Sequence, residues 1–384
     1  MRQKSSNVRR NLLANHCCQA GLSMRIHRLS KIHVLFLVIF QSVCAHNAVA
    51  EDWAIGSVSL GIGYKLDIGG YMSGHVQHEN VFGYNQILNL GFDITEEAQS
   101  YDVLLKSAKI NNENPSVAYV LRHATADRQA HMGVDTVNTF FKPQAIFKDL
   151  DAQIKIEAIF GRDRVNNVSH APAVLQSESG DRNVYGIGVA YAAQRADWSY
   201  DFGSEIINAG GNLTYSKFET ATSYERSSLG SDINLGFRLA AGTIAILDGQ
   251  TTVNDRFIPS SGVVRGFQLG GFGPSDASML GGAAVGATNY ATMSFDVRRR
   301  DVLASIPELA FGGFFDLGSA WNLDDNGDIQ RAMIDDGAKV RASFGLTAGY
   351  NFGPAWIQLV LAEPIHHEET DRLQKLQINF STKF

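Results

Sequence analysis

The chain has 384 residues, a formal net charge of -6, 37 glycines against 8 prolines, and 22 Phe, 12 Tyr and 4 Trp residues. Its longest uncharged apolar stretch, Val34–Phe40, is far shorter than the ~20 residues that a membrane-spanning helix needs, which excludes a polytopic helical membrane protein. The many aromatic residues and the charged fraction of only 19% argue against a disordered chain. Two classes remain: a soluble β-rich protein and a membrane β-barrel, whose two alternating faces average to an ordinary mean hydropathy.

Residues 1–50 have the composition of an export signal. They contain seven basic residues and no acidic one, and a basic stretch that begins at Met24 precedes an apolar run at 33–40. The small residues before Glu51 form an A-x-A cleavage site, so we expect a secretory signal peptide over 1–50, cleaved after Ala50, with Met24 as an alternative start. Cys44 would instead fit lipoprotein processing, but the three residues before it lack the usual leucine.

Residues 51–384 hold all 39 acidic residues and 26 of the 33 basic ones, and they contain no cysteine. A protein that neutralises phosphates would be basic, so this balance argues against nucleic-acid binding. Without thiols, this part has neither a disulfide framework nor a thiolate metal site. We expect a single domain over 51–384 that binds no cofactor or metal.

Segments of this domain alternate large apolar residues with small or polar ones at a period of two, which predicts β-strands. Clear segments lie at 53–64, 84–94, 151–160, 184–191, 231–240, 340–350 and 376–384. The second face consists of Gly, Ser, Asn, Asp and Arg, which fits a wet lumen better than the solvent face of a sandwich. We therefore predict an all-β protein, an antiparallel transmembrane barrel of about 16 strands, because an even number closes the sheet and leaves no edge in lipid.

The end of the chain is a candidate assembly signal. Apolar residues alternate towards a terminal aromatic residue, as they do in outer-membrane barrels that are recognised for assembly, and they are Leu376, Ile378, Phe380 and Phe384. Together with an export signal, this pattern predicts a location in the bacterial outer membrane.

Two motifs resemble the bacterial surface antigen family, the superfamily of the BamA and TamA outer-membrane assembly proteins. One is similar to the VRGF/Y motif of the family's sixth extracellular loop, and the other resembles its aromatic-x-Asp-x-Gly strand motif. Their residues are Val264, Arg265, Gly266 and Phe267 in the loop, and Phe314, Asp316 and Gly318 in the strand. The resemblance covers about 54–384 and is strongest after residue 257, where further glycine- and proline-containing motifs of the closing strands follow.

The resemblance implies that the motif loop folds back into the barrel and that Arg265 pairs with Asp316 as a latch in the lumen. The family has a further acidic residue on the preceding strand, where this chain has Ser294. Asp296, two residues on and on the same face, is the candidate second partner; otherwise that partner is lost.

Other charged segments carry weaker signals. Residues 324–328 look like a calcium loop but lack its Gly and Glu at the required positions, so we expect a solvated loop. The segment from His366 to Asp371 could collect a divalent cation, but a cap on an extracellular hairpin is the favoured interpretation. No G-x-S-x-G or H-E-x-x-H motif occurs, so we predict no catalytic residues.

The resemblance implies assistance in the insertion, assembly or translocation of proteins at the outer membrane. Expected partners are outer-membrane lipids, unfolded barrel or secreted client proteins, and a periplasmic partner supplied in trans. Family members usually carry POTRA domains before the barrel, whereas the strand pattern here begins just after the expected cleavage site, so we expect none. The alternative is therefore a passive pore or structural barrel that lost this activity, and a third candidate is a lipolytic enzyme.

Overall fold

The computed structural model describes residues 56–65, 69–81, 86–107, 115–227, 232–259, 262–276, 282–300, 302, 305–306, 308–325, 327–353 and 355–383. The predicted signal peptide at 1–50, including Met24 and Ala50, lies outside these residues, as does Phe384. Those assignments stay predictions.

Sixteen antiparallel strands form a closed barrel, which confirms the predicted fold class and strand number. Each strand pairs with its neighbour along the chain, and the last pairs with the first. The strands are β1 (Gly56–Lys65), β2 (Gly69–Glu79), β3 (Ile87–Thr95), β4 (Ala98–Lys106), β5 (Ser116–Asp127), β6 (Asp135–Lys148), β7 (Ala152–Asn166), β8 (Gly180–Arg195), β9 (Trp198–Ala209), β10 (Leu213–Ser227), β11 (Ile233–Asp248), β12 (Asn289–Arg299), β13 (Leu309–Trp321), β14 (Arg341–Asn351), β15 (Ala355–His366) and β16 (Leu376–Lys383).

The two faces of the barrel wall follow directly from the alternation in the sequence. On β8, Ile187 points outward and is 62% exposed, and its apolar neighbours Tyr185 and Val189 on the same face are also exposed. The inward positions are covered and include charged residues beside small apolar clusters: Glu157 on β7 and Asp316 on β13 are 5% and 0% exposed, and Ile159 and Ile207 are buried on the same side of the wall. Apolar side chains outside and charged side chains inside are the arrangement of a barrel in lipid, not of a soluble sandwich.

Aromatic side chains mark the end of this apolar band where β1 begins and the even-numbered strands end. Trp198 and Tyr224 face each other across β9 and β10 with ring centroids 4.9 Å apart. At the end of β14, the Tyr350 and Phe352 rings meet edge to face at 4.5 Å. Such amphipathic rings are typical of the boundary between lipid and water.

The connections differ between the two ends of the barrel. Turns that follow even-numbered strands include the short link at 196–197, whereas connections that follow odd-numbered strands include the long ones at 167–179, 249–288 and 322–340. Connections that follow odd-numbered strands carry short helical segments: α1 (Gln129–Met132), a 3₁₀ turn (Val168–His170), α2 (Ala173–Ser177) and α3 (Ile329–Ala332). None of the helices in the described part of the chain is long and apolar enough to cross a membrane.

The connection between β11 and β12 packs inside the barrel. Val264 and Phe267 are fully buried and form a small core with Phe272 and with Ala320 at the end of β13. A two-residue ladder joins Gly266–Phe267 to Leu373–Gln374, the segment just before β16. We call residues 262–273 the lumen loop, and its tip positions the candidate site.

Candidate functional site

The lumen loop places the guanidinium group of Arg265 against the carboxylate of Asp316. Asp316 points inward from the middle of β13 because its neighbours in sequence face outward. Arg265 Nε donates to Asp316 Oδ2 at 2.8 Å, and Nη2 donates to Oδ1 at 2.7 Å. The backbone N–H of Arg265 also donates to Oδ2, at 2.9 Å. The pairing is therefore bidentate, a geometry that arginine forms and lysine does not.

The structure brings both Ser294 and Asp296 of β12 to the same guanidinium group. Ser294 lies directly opposite Asp316 in the ladder between β12 and β13, and Asp296 is the next inward position. Arg265 Nη1 donates to Asp296 Oδ1 at 2.7 Å, and Nη2 donates to Ser294 Oγ at 2.9 Å. Ser294 Oγ in turn donates to Asp316 Oδ1 at 2.7 Å. Asp296 thus occupies the position of a second acidic partner, with Ser294 bridging the two carboxylates.

The Phe314 ring forms the floor beneath the guanidinium group. The ring centroid lies 3.7 Å from Arg265 Cζ, which is a stacked cation–π contact. The ring in turn covers Gly345 on β14, where an added Cβ would overlap it. The aromatic residue of the strand motif therefore supports the arginine, and a glycine on the neighbouring strand makes room for the ring.

Glycines of both motifs are required by close packing. Gly266 has a φ of +98°, and a Cβ there would lie 3.0 Å from the ring of Pro364. At Gly318 an added Cβ would overlap the Val264 side chain, so the strand motif needs glycine where the loop docks. Ser343 Oγ on β14 donates to the Arg265 carbonyl at 2.5 Å and fixes the loop from its other side.

The electrostatics of the site fit a permanent ion pair. Burial lowers the pKa of the Arg265 guanidinium, but its hydrogen bonds to Asp316 and Asp296 outweigh burial and raise the pKa. The group therefore stays charged at any physiological pH and has no proton to exchange. Beside it, a lumen cavity of about 700 Å³ is lined partly by Arg238, Tyr290 and Asp296. The site can hold the lumen loop in place.

A second cluster, which the sequence did not predict, ties together three long connections. Glu178, just after α2, accepts from Arg256 Nη2 and from Arg331 Nη2 of α3, both at 2.8 Å. It also accepts from the backbone N–H of Val253 at 2.7 Å. Arg331 further pairs with Asp324 at 3.2 Å. We call this group the lid cluster, since it joins connections that all follow odd-numbered strands and therefore lie at the same end of the barrel.

The lid cluster corrects the interpretation of residues 324–328 as a solvated loop at one residue, whereas Asp325 and Gly327 are exposed as expected. Asp324 was expected in a solvated loop, but it is only 8% exposed, because Arg331 and the hydroxyl of Thr251 bind its carboxylate. At the other weak motif, Asp371 is buried against Arg341 at 2.8 Å and accepts from the N–H of Glu368 at 2.8 Å. Within the described residues, no group of three or more His, Cys, Asp and Glu side chains is arranged to hold a metal ion.

A third cluster anchors the start of the connection between β11 and β12 to the barrel wall. Arg182 on β8 pairs with Asp163 on β7 at 2.5 Å and with Asp255 of the connection at 2.9 Å. Tyr215 on β10 donates to Asp255 at 3.1 Å. The alternation places these strand residues inward, so the sequence indicated charged lumen positions, but not their partner in a connection.

Three apolar residues of the predicted C-terminal signal, Leu376, Ile378 and Phe380, lie on the outer face of β16. Phe380 pairs in register with Tyr64 of β1 on one side and with Ile357 of β15 on the other. Leu376 and Ile378 lie on the same face of the strand, paired with outward residues of β15. The assignment of these residues as an assembly signal stays a prediction.

Comparison with solved structures shows the same fold in known outer-membrane proteins. The BamA structure from Haemophilus ducreyi lacking POTRA domains 1-3 superposes with a TM-score of 0.72 at 13% identity, covering 86% of this chain and 70% of that one. CdiB from Acinetobacter baumannii gives a TM-score of 0.55 at 11% identity, covering 85% of this chain and 60% of CdiB. CdiB from Escherichia coli gives 0.54 at 12% identity, with coverage of 85% and 63%.

The sequence itself gives the family. No functionally curated protein matches the chain by sequence. The model of the Omp85 superfamily domain, however, matches residues 88–384, which is most of the barrel and includes both motifs of the site. This match confirms the resemblance to the BamA and TamA assembly barrels, and the chain belongs to the Omp85 superfamily.

Proposed function

We propose that this outer-membrane barrel assists the insertion, assembly or translocation of other proteins. The observation that carries the proposal is the closing seam, the ladder between β1 and β16. Among the described residues it runs only from the Gly61–Lys383 pair to the Lys65–Asn379 pair. The neighbouring ladder between β1 and β2 extends over all of β1, from Gly56 to Lys65. Fewer backbone hydrogen bonds hold the seam than hold the adjacent ladder, so the seam is the place where the wall opens at least cost.

Strand length points to the same place. β16 has 8 residues and β3 and β4 have 9 each, whereas β8 and β11 on the far wall have 16. Since each residue adds about 3.3 Å along a strand, the wall near the seam spans less of the bilayer than the far wall. A short apolar band thins the bilayer locally, which favours entry of a client strand there.

The proposed mechanism uses the backbone edge that opening exposes. A separated β1 presents unpaired N–H and C=O groups, onto which an extended client segment can add as a strand. Meanwhile the lumen loop braces the C-terminal wall, because Arg265 binds β12 and β13 and the Gly266–Phe267 ladder holds the segment before β16. The site thereby keeps that wall in register while the seam opens, which is the role we propose for the latch.

The packed interior disfavours the alternative of a passive pore. The lumen loop fills the barrel between β12 and β14, and the lid cluster joins the connections at one end. A periplasmic partner in trans remains part of the proposal, and its copurification with the barrel from membranes is the corresponding observation.

The test is a disulfide crosslink that holds β1 and β16 together. Ile62 and Thr382 are paired in register across the seam, and residues 51–384 contain no cysteine, so Ile62→Cys with Thr382→Cys gives one defined crosslink. We expect the reduced variant in proteoliposomes to accelerate folding of an unfolded barrel client and the oxidised variant to lose that acceleration. Reduction of the crosslink should restore it.

A crosslink in the closed wall provides the matched control. Ile187 and Ile206 are paired outward residues of β8 and β9, so their cysteine variant should keep its activity when oxidised. Equal activity of the seam-locked and reduced proteins would contradict the proposal. No client acceleration by the parent protein, with steady conductance in a planar bilayer, would establish the passive pore, and hydrolysis of a phospholipid would favour the lipolytic enzyme.

A further inference from the structure

A tyrosine of β2 reaches across β1 to the last strand of the barrel. Tyr71 points into the lumen opposite Gly63 of β1, and its ring lies over this glycine. The Tyr71 hydroxyl then donates to the backbone carbonyl of Phe380 on β16 at 3.2 Å. A Cβ at position 63 would overlap both the Tyr71 ring and the Phe380 carbonyl. Glycine at this position is therefore what allows β2 to contact β16 directly.

The same packing of a ring over a glycine occurs elsewhere on the lumen side of the wall. Phe140 covers Gly161 between β6 and β7, and Tyr290 covers Gly242 between β11 and β12. Phe140 has no hydroxyl, and the Tyr290 hydroxyl donates to the Glu219 side chain at 3.5 Å across the long ladder between β10 and β11. Tyr71 differs because its hydroxyl crosses the short closing ladder and binds backbone on the far side.

We propose that Tyr71 is a clasp that holds the closing seam shut and sets how often it opens. The seam ladder is short, so one additional hydrogen bond forms a substantial part of what closes it. The clasp adds to the ladder of the seam, since its donor belongs to β2, which stays paired with β1 during opening. The consequence for client insertion rests on the function proposed above, whereas the effect on the seam does not.

The test is hydrogen exchange of the intact barrel in lipid vesicles. Tyr71→Phe removes the hydroxyl and keeps the ring over Gly63, so the fold is retained. We expect amides of β1 and β16 to exchange about threefold to tenfold faster than in the parent, from the loss of one hydrogen bond. Tyr290→Phe is the matched control, and it should leave exchange at the seam unchanged. Unchanged seam exchange in Tyr71→Phe, or an equal increase in both variants, would overturn the clasp.

A second pair of variants tests the glycine. Gly63→Ala displaces the ring or the β16 backbone and should speed seam exchange, whereas Gly161→Ala crowds Phe140 in the closed wall and should not. Client folding separates the two proposals: with faster seam exchange, a faster client reaction supports both. Faster seam exchange with an unchanged client reaction supports the clasp and counts against the insertion function.

Discussion

At the residue scale, the site is one guanidinium group that neutralises two inward carboxylates. Asp316 is 0% exposed, so Arg265→Ala would leave it charged and unpaired inside the barrel. Removal of one member of a buried ion pair costs about 3–5 kcal/mol, and we expect a loss of that size in the free energy of unfolding. Urea titration of the barrel in detergent micelles, followed by tryptophan fluorescence and by the heat-dependent shift on gels, measures it.

A neighbouring arginine supplies the control for this prediction. Arg298 on β12 is half exposed and lies 4.0 Å from Asp296, so Arg298→Ala should cost less than about 1 kcal/mol. If Arg265→Ala and Arg298→Ala shift the urea midpoint equally, the buried ion pair contributes no more to stability than the exposed one. The urea midpoint of Arg265→Lys should lie between those of the parent and Arg265→Ala, because an ammonium group keeps the charge but cannot form the bidentate pair.

The sequence predicted the contacts of this site only for residues that were marked both by a family motif and by the alternation of the strand. Asp316 faced the lumen because its neighbours were apolar, and the loop motif supplied Arg265 as its partner. The lid cluster had no such signal, since Glu178 and Arg331 are 153 positions apart and lie in connections without a period. Contacts between irregular connections depend on how the barrel closes, which no local pattern encodes.

At the scale of elements, the lid cluster controls three connections through one carboxylate. Glu178→Ala would leave Arg256 and Arg331 buried side by side without the acid that both bind. Because this acid is their shared partner, we expect the connections after β7, β11 and β13 to loosen together. Limited proteolysis should cleave them at least several times faster than in the parent, while the strands stay protected.

An exposed acidic residue next to the connection after β7 tests the specificity of that effect. Asp181 at the start of β8 pairs with Arg164 and Arg162, which are 48% and 60% exposed, so Asp181→Ala should leave proteolysis almost unchanged. Cleavage confined to the connection after β7 in Glu178→Ala would contradict a shared lid.

The elements themselves were largely predictable, because alternate residues of a strand in a barrel wall face two different environments, the lipid and the lumen. That signal gave the strand number and the inward and outward faces. It could not give strand ends: β8 extends over Gly180–Arg195, well beyond the clear alternation at 184–191. Beyond the bilayer both faces contact water or the packed connections, so the apolar and polar contrast that marks a strand disappears there.

At the scale of the whole molecule, large apolar side chains cover the outer face of the barrel wall, and whether this face contacts lipid is testable at single positions. Ile187 lies near the middle of β8 on the outer face and is 62% exposed. In lipid vesicles, Ile187→Arg should lower the free energy of unfolding by about 2–4 kcal/mol, the cost of an arginine near the bilayer midplane. On a soluble barrel the same change would replace an exposed apolar group and cost almost nothing.

The lumen face of the same strand gives the contrast. Ala192 points inward and pairs with Gln153 on β7 and Asp201 on β9, so Ala192→Arg places its charge near water and an acid. We expect Ala192→Arg to change the free energy of unfolding by less than about 1 kcal/mol, since exposed ion pairs contribute no more than that. Both variants are compared with the parent by urea titration in vesicles. Equal costs at the two positions would mean that lipid does not cover the outer face, and the proposed opening of the seam into the bilayer would lose its basis.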